Sequence, residues 1–339
     1  MKYSCAVIGC GRIGCGYDDK YGMIRNHVSA YTNNKRTTLL ALCDVNYENL
    51  KKCSVRYGVS KLYNNYDELF ESEDLDIVSV CTLVDTHFEI VRNAVKNGVK
   101  GIFLEKPMSE GLQTAKKIIE FCSKKGVSLQ IDHQRRFIPL YHQIKNFLDN
   151  DKLGKIQHVN VYYGSGIANT GSHLFDMLLF LFGSIKSVVG EYSNNPSNNK
   201  VDPNIDGEII FKNDIKCSIN SLDMSHYGIL EMDILGTKGR ITVDMVNHSL
   251  NYLVTAKAKF LDYIQLSAKN FPIKKQKNVP LMIGLDNLID SMEGKNQLLC
   301  SATEGYRSLE IIIAFNMAAQ ENCKISLPLL RSTFTVRSK

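Results

Sequence analysis

The sequence predicts an α/β chain: an N-terminal doubly wound parallel sheet, then a C-terminal α+β domain with an open, mostly antiparallel sheet. Three observations carry that expectation. Short apolar runs alternate with helical patterns through the first 150 residues or so, which is the signature of βαβ units. After Gly154 the alternation gives way to longer strands without helices between them. Finally, 339 residues with 44% hydrophobic side chains suffice for two domains that each bury a core. The predicted domains are residues 1–135 and 136–339. The final segment is left free to pack back on the first domain.

Tyr3 to Ile8, Thr38 to Cys43, Lys61 to Tyr63, Ile77 to Cys81, Gly101 to Leu104 and Val127 to Ile131 read as six buried strands. Tyr47 to Tyr57, His87 to Asn97 and Leu112 to Lys124 carry 3.6-residue periodicity between them. In the second half, a helix from about Ser172 to Phe182 precedes five or six strands between Ser187 and Thr255. Asn194 to Asn204, with two prolines and five asparagines, is a loop by composition. Helices over Leu281 to Ser291 and Thr303 to Gln320 lead to a last strand, Lys324 to Leu327.

Charge and cysteine usage narrow the partners. The excess of 41 Lys+Arg over 35 Asp+Glu is spread along the chain, which argues against nucleic acid. Lys274, Lys275 and Lys277 are the densest basic stretch and read as a solvated loop. No apolar run approaches the roughly 18 residues of a membrane span, and the start lacks a signal-peptide core. Ten cysteines without a C-x-x-C pair read as buried free thiols in a reducing cytoplasm, with no metal site.

Gly9-Cys10-Gly11-Arg12-Ile13-Gly14 follows the first strand directly and matches G-x-G-x-x-G in the context that motif requires. Gly9 permits the tight turn, Gly11 lets backbone approach a pyrophosphate, and Gly14 lets the following helix pack close. Asp44 ends the second strand. Its carboxylate could accept from ribose hydroxyls and would repel a 2′-phosphate, favouring NAD over NADP; alternatively it caps the helix starting near Asn46. Gly9 and Asp44 stand farther apart than the usual spacing of about 20 residues. The excess falls in Cys15 to Asn26, which reads as a flap or a plain surface insertion.

Ligands bind beyond the carboxyl ends of strands in such a sheet. Polar residues gather there: Cys81-Thr82 after the fourth strand, Glu105-Lys106-Pro107 after the fifth, and His133 to Arg136 after the sixth. Proline restricts Lys106 to extended geometry, and its ammonium could stabilise an alkoxide as hydride leaves the adjoining carbon. Arg135 and Arg136 could grip a carboxylate or phosphate or be ion-paired at the domain junction. His87 begins a helix, as a packing residue or a nicotinamide contact. On the Ser172 helix, His173 and Asp176 lie off the apolar stripe formed by Leu174, Met177, Leu178, Leu181 and Phe182. The helix N-terminus favours a neutral imidazole there, the form that accepts a proton.

The glycine motif, Cys81-Thr82 with Thr86-His87, Glu105-Lys106-Pro107, Arg135-Arg136-Phe137 and Gly171-Ser172-His173-Leu174-Phe175-Asp176 together resemble the Gfo/Idh/MocA oxidoreductases. That resemblance implies a Rossmann domain and NAD bound by Gly9, Gly11, Arg12, Ile13, Gly14, Asp44, Cys81, Thr82, His87, Glu105 and Lys106. It implies reversible hydride transfer to or from a secondary hydroxyl of a sugar, polyol or nucleotide sugar. Lys106 and His173 would be the catalytic pair, one from each domain, with Asp176, Asn169, Arg135 and Arg136 toward substrate. A homodimer or homotetramer through the C-terminal sheet is implied as well. Many members carry Asp four residues before the histidine, where this chain has Asn169; an amide orients the ring without stabilising its charge, and some nucleotide-sugar dehydrogenases resemble this version. Members that use NAD in net non-redox reactions, and a catalytically silent NAD-sensing protein, are the alternatives.

Overall fold

The computed structural model describes residues 2–16, 24–258, 262–274, 279–330 and 332–337. The chain forms two compact units, Met1–Ile138 with Lys277–Tyr306, and Pro139–Gln276 with Arg307–Lys339.

The first unit is built on a six-stranded parallel sheet of order β3-β2-β1-β4-β5-β6. Its strands are β1 (Tyr3–Ile8), β2 (Thr37–Cys43), β3 (Lys61–Tyr63), β4 (Ile77–Val80), β5 (Gly101–Leu104) and β6 (Ser128–Ile131). Every residue of β4 and β5 is buried, the mark of strands covered on both faces. The order reverses between β1 and β4, which places the topological switch point at the glycine-rich turn.

Helices α1 (His27–Asn33), α2 (Tyr47–Tyr57), α3 (Tyr66–Ser72), α4 (His87–Lys96) and α5 (Leu112–Lys125) connect the strands. Each of the first three opens on an asparagine, Asn26, Asn46 or Asn65, whose side chain accepts a backbone N–H of the first turn. Gly58 and Gly126 end α2 and α5 in the left-handed conformation.

The second unit begins with α6 (Pro139–Asp149), β7 (Ile156–Tyr163) and α7 (Thr170–Phe182). Strands β8 (Ile185–Tyr192), β9 (Ile205–Phe211), β10 (Lys216–Ser221), β11 (Glu231–Gly236), β12 (Gly239–Asp244), β13 (Ser249–Lys257) and β14 (Ile264–Ala268) follow. After them come α8 (Pro280–Met292), α9 (Ala302–Glu321) and β15 (Ile325–Ser326). The nine strands are ordered β14-β13-β12-β11-β7-β10-β9-β8-β15, and every pairing is antiparallel except β7 with β10. Phe175 of α7 stacks on Phe315 of α9 at 5.2 Å. A Cβ on Gly190 or Gly207 would stand 2.9 Å from the Phe315 ring, so those glycines admit the ring against the sheet.

Helix α8 belongs to the first unit, where Gln130 of β6 donates to the Gly284 carbonyl. A Cβ at Gly284 would meet the Phe103 and Phe137 rings at 2.9 and 2.8 Å.

Several elements depart from the sequence reading. Helices α1, α3 and α6 and strands β7 and β14 lie where no element is predicted. The helices at α1 and α3 are seven residues each, too short to display a periodicity. The last strand shrinks to two residues. The expectation that all cysteines are free thiols is corrected at one pair: Cys15 and Cys53 form a disulfide with their Cα atoms 6.1 Å apart. The other eight are free. Of the basic stretch near Lys274, Lys275 and Lys277 lie outside the described residues, as do residues 17–23 of the suggested flap.

Candidate active site

The cofactor half of the site is a backbone construction. Gly9 leaves β1 with φ of +96°, and a Cβ there would lie 2.6 Å from the Cys81 carbonyl group. At Gly14 a Cβ would fall 1.9 Å from the Gly9 oxygen. Both glycines are therefore demanded by the fold of the turn itself. Gly11 differs, because a Cβ there would meet no atom within 4 Å. Its backbone borders open space, so the turn fits a pyrophosphate approaching from that side.

Arg12 and Ile13 begin a single π-type turn, Arg12–Gly16, in which Gly16 N–H donates to the Gly11 carbonyl. Helix α1 opens on a capping box of Asn26 and Ser29. The Cys15–Cys53 disulfide ties the end of the π-type turn to α2.

Asp44 follows β2. Its Oδ2 accepts Cys10 N–H at 2.5 Å, and its Oδ1 accepts Asn46 N–H at 2.7 Å. The alternative role as helix cap falls to Asn46, whose side chain accepts from Glu48 and Asn49. Asp44 thus braces the glycine turn, and no Lys or Arg immediately follows it in sequence.

The remaining strand ends come together on the same edge. Cys81 and Thr82 follow β4, with the Thr86 hydroxyl donating to Thr82 Oγ1 at 2.7 Å. Lys106 follows β5, and the Lys106–Pro107 peptide is cis. His87 is buried, with its ring nitrogens 3.2 Å from the Thr82 carbonyl and 3.4 Å from the Met108 carbonyl. Burial pushes this imidazole below its ordinary value despite those carbonyls, so near pH 7 the ring is neutral and its single N–H serves one of the two carbonyls. Arg136 is buried and Arg135 half-buried in a tight turn, Gln134–Phe137, after β6.

Beneath this edge lies a group of residues that the sequence reading did not bring together. His27 of α1 is 1% exposed. Its Nε2 stands 3.3 Å from Glu105 Oε1 and 3.4 Å from Asp132 Oδ2, and its Nδ1 2.8 Å from Ser79 Oγ. Tyr31 OH also reaches Ser79 Oγ at 2.8 Å. Burial first, then the charge of Asp132, pushes the Glu105 carboxyl up to about 7. Asp132 is held below the usual carboxylate range by His27 in spite of its burial. Burial opposes the His27 imidazolium, yet its partners hold its affinity for a proton well above the ordinary histidine value. The Cys81 thiol, itself pushed up by burial, and the Asp132 and Glu105 carboxyls are those partners. The signal for His27 in the sequence is faint, because the excursion before it displaces it from the glycine motif.

In the second unit, α7 carries His173, half-exposed, and Asp176, fully buried. Asn169 occupies the N-cap position, but its side chain donates back to the Ser165 carbonyl at 3.3 Å and makes no cap bond. The start of the helix is instead held from outside. Asp202, 1% exposed, accepts the Ala168 and Asn169 N–H groups, each at 2.8 Å. Asn204 Oδ1 accepts Gly166 N–H at 2.9 Å. Asp202 and Asn204 lie in the asparagine-rich loop, so a segment that sequence marks only as irregular orders the start of α7.

Residues 3–133 match the model for an oxidoreductase family with an NAD-binding Rossmann fold, and residues 160–327 match that family's C-terminal alpha/beta domain. The chain belongs to the Gfo/Idh/MocA oxidoreductase family. Its cofactor is NAD. This oxidoreductase is 27% identical over 285 residues to scyllo-inositol 2-dehydrogenase (NAD(+)) of Bacillus subtilis, a match covering 77% of this chain and 79% of that one. It is 27% identical over 264 residues to myo-inositol 2-dehydrogenase of Thermotoga maritima, covering 72% and 75%. Among solved structures, the WlbA dehydrogenase of Bordetella pertussis, in complex with NADH and UDP-GlcNAcA, superposes with a TM-score of 0.79 at 20% identity, covering 97% of this oxidoreductase and 100% of that chain. Levoglucosan dehydrogenase in complex with NADH gives 0.80 at 16% identity, with the same coverage. These two likenesses concern the fold.

Proposed function

We propose that this oxidoreductase uses NAD to oxidise a secondary hydroxyl of a sugar, polyol or nucleotide sugar, or to reduce the corresponding keto sugar. The observation that carries this reading is the shared carboxyl edge of β1, β4 and β5. The open backbone of Gly11 and the Glu105-Lys106-Pro107 step stand on the same edge of one sheet. The names of the inositol dehydrogenases give the substrate class its first support, and Asn169 tilts it toward activated sugars.

In this reading residues 1–135 bind the cofactor and 136–339 the substrate. Gly9, Gly11, Arg12, Ile13 and Gly14 would receive the pyrophosphate and Asp44 the adenosine ribose, while Cys81, Thr82, His87, Glu105 and Lys106 would form the nicotinamide end. NAD supplies the hydride acceptor when bound. Lys106 would hold the substrate oxygen and stabilise its developing charge. His173 would take the hydroxyl proton, with Asn169, Asp176, Arg135 and Arg136 toward the substrate. Tyr162, Val189, Tyr192, Ile264 and Leu266 are exposed on the nine-stranded sheet, which supports a homodimer or homotetramer through it. A cytoplasmic location is part of the same reading; the eight free thiols support it and the disulfide counts against it.

The test is a screen of inositols, free sugars, sugar acids and nucleotide sugars for NADH formation. One NADH per substrate consumed supports the reading. Substrate conversion without net NADH would move the protein to a net non-redox reaction, and NAD binding without any conversion to a cofactor-sensing role.

A further inference from the structure

We propose that His27, Glu105 and Asp132 act as one buried proton-holding unit under the nicotinamide end of the site, taking up a proton when NADH replaces NAD⁺. The proposal rests on the reading of that strand edge as the nicotinamide end.

Three features of the unit point to a shared proton. First, its donor and acceptor count is incomplete. One Nε2–H is spread between Glu105 and Asp132 at 3.3 and 3.4 Å, both long for a charge-assisted bond. Asp132 Oδ1 is buried with no hydrogen-bond partner, and a proton on Glu105 would supply a donor in that neighbourhood. Second, the imidazolium form is provided for on its other side, since Ser79 Oγ has lone pairs for both His27 Nδ1–H and Tyr31 O–H. Third, the groups seen to hydrogen-bond or pack against the unit among the described residues are uncharged. They are Tyr31 from α1, Ser79 and the neutral Cys81 from β4 and its end, and Gln134, which donates to Asp132 Oδ2 at 3.1 Å. From the end of β5, the Lys106 backbone N–H donates to Glu105 Oε2 at 3.3 Å, and within β5 the Phe103 ring meets the His27 ring in a T-shaped pair, centroids 4.8 Å apart.

The charge states follow. With an imidazolium and two carboxylates the unit is singly negative, and one more proton on Glu105 makes it neutral. Burial leaves the two states close in free energy near pH 7. The oxidised nicotinamide is cationic and favours the negative state, whereas the reduced ring is neutral and does not. By linkage, the preference for NAD⁺ over NADH must then rise with pH.

The experiment is calorimetric binding of NAD⁺ and of NADH to the full-length protein, without substrate, in two buffers of different ionisation enthalpy. The expected result is a larger proton uptake with NADH near pH 7, and a NAD⁺-to-NADH affinity ratio that rises several-fold from about pH 6 to about pH 8. Asp132→Asn should bind both nucleotides and lose the difference. Equal proton counts for the two nucleotides in the unmodified protein would overturn the proton coupling alone. A difference that survives in Asp132→Asn, or a stoichiometric divalent metal in the purified protein, would overturn it as well. Failure of either nucleotide to bind would overturn the placement of the cofactor and this proposal with it.

Discussion

The buried carboxylate of Asp202 accepts the backbone N–H of Asn169 at 2.8 Å, at the residue where α7 begins. The neighbouring Ala168 N–H shares it. Removing an acceptor from a buried donor costs about 1–3 kcal/mol, so Asp202→Ala should lower stability by about 3 kcal/mol in denaturant unfolding. Because α7 carries His173, turnover should also fall by roughly tenfold. Asp202→Asn keeps one acceptor oxygen and should lose about half as much stability. Wild-type stability and turnover in Asp202→Ala would show that α7 is positioned by other contacts.

The glycine turn permits a sharper dissection. An alanine methyl at Gly14 would lie 1.9 Å from the Gly9 oxygen, so Gly14→Ala should unfold or misplace the turn. The same methyl at Gly11 would touch no protein atom. Gly11→Ala should therefore melt like the unmodified protein yet bind NAD at least tenfold more weakly, about 1.4 kcal/mol. Unchanged NAD affinity in Gly11→Ala would remove the pyrophosphate from that side of the turn.

Lys106→Met keeps much of the side-chain length and removes the ammonium. Turnover should drop by roughly 10²- to 10³-fold, the usual loss of one group stabilising developing charge. The dissociation constant for NAD should change little, since the glycine turn and Asp44 are untouched. A parallel collapse of NAD affinity would make Lys106 a cofactor ligand first and a catalytic residue second.

The parallel sheet was legible because buried strands such as β4 and β5 are continuous apolar runs bounded by turns. The glycine turn was legible because Gly9 and Gly14 have steric reasons to be glycine that leave a fixed spacing. His27 was not, since an excursion separates it from that motif and its carboxylate partners come from the ends of two later strands. Asp202 was equally hidden. Nothing in an asparagine-rich loop announces that one aspartate turns inward and takes two backbone N–H groups. Asn169 shows the limit from the other side: its spacing of four residues before His173 was readable, but its place at the N-cap of α7 and the direction of its amide, toward Ser165, were not.

The disulfide has a measurable signature. Closing 38 residues of chain between Cys15 and Cys53 corresponds to about 4 kcal/mol in the chain-entropy description. Unreduced, denatured protein should titrate as eight thiols, and reductant should lower the unfolding midpoint. Ten thiols without reductant would place Cys15 and Cys53 among the free cysteines.

Glu105 makes stability depend on pH in a direction opposite to most carboxylates. Its folded-state affinity for a proton lies above the ordinary value, near 7 instead of 4.5. A carboxyl raised in this way binds its proton more tightly when folded, so its contribution is fully present below about pH 4.5 and is lost as pH rises toward 7. The sign reverses the usual case, in which a carboxylate stabilised by a partner loses its contribution on acidification. Glu105→Gln removes the titration while keeping the shape and a donor toward Asp132. The stability of the variant relative to the unmodified protein should therefore improve as pH increases from about 5 to about 7.5, read as a change in urea midpoint at each pH. A stability difference that stays flat across that window would mean that Glu105 is ionised throughout.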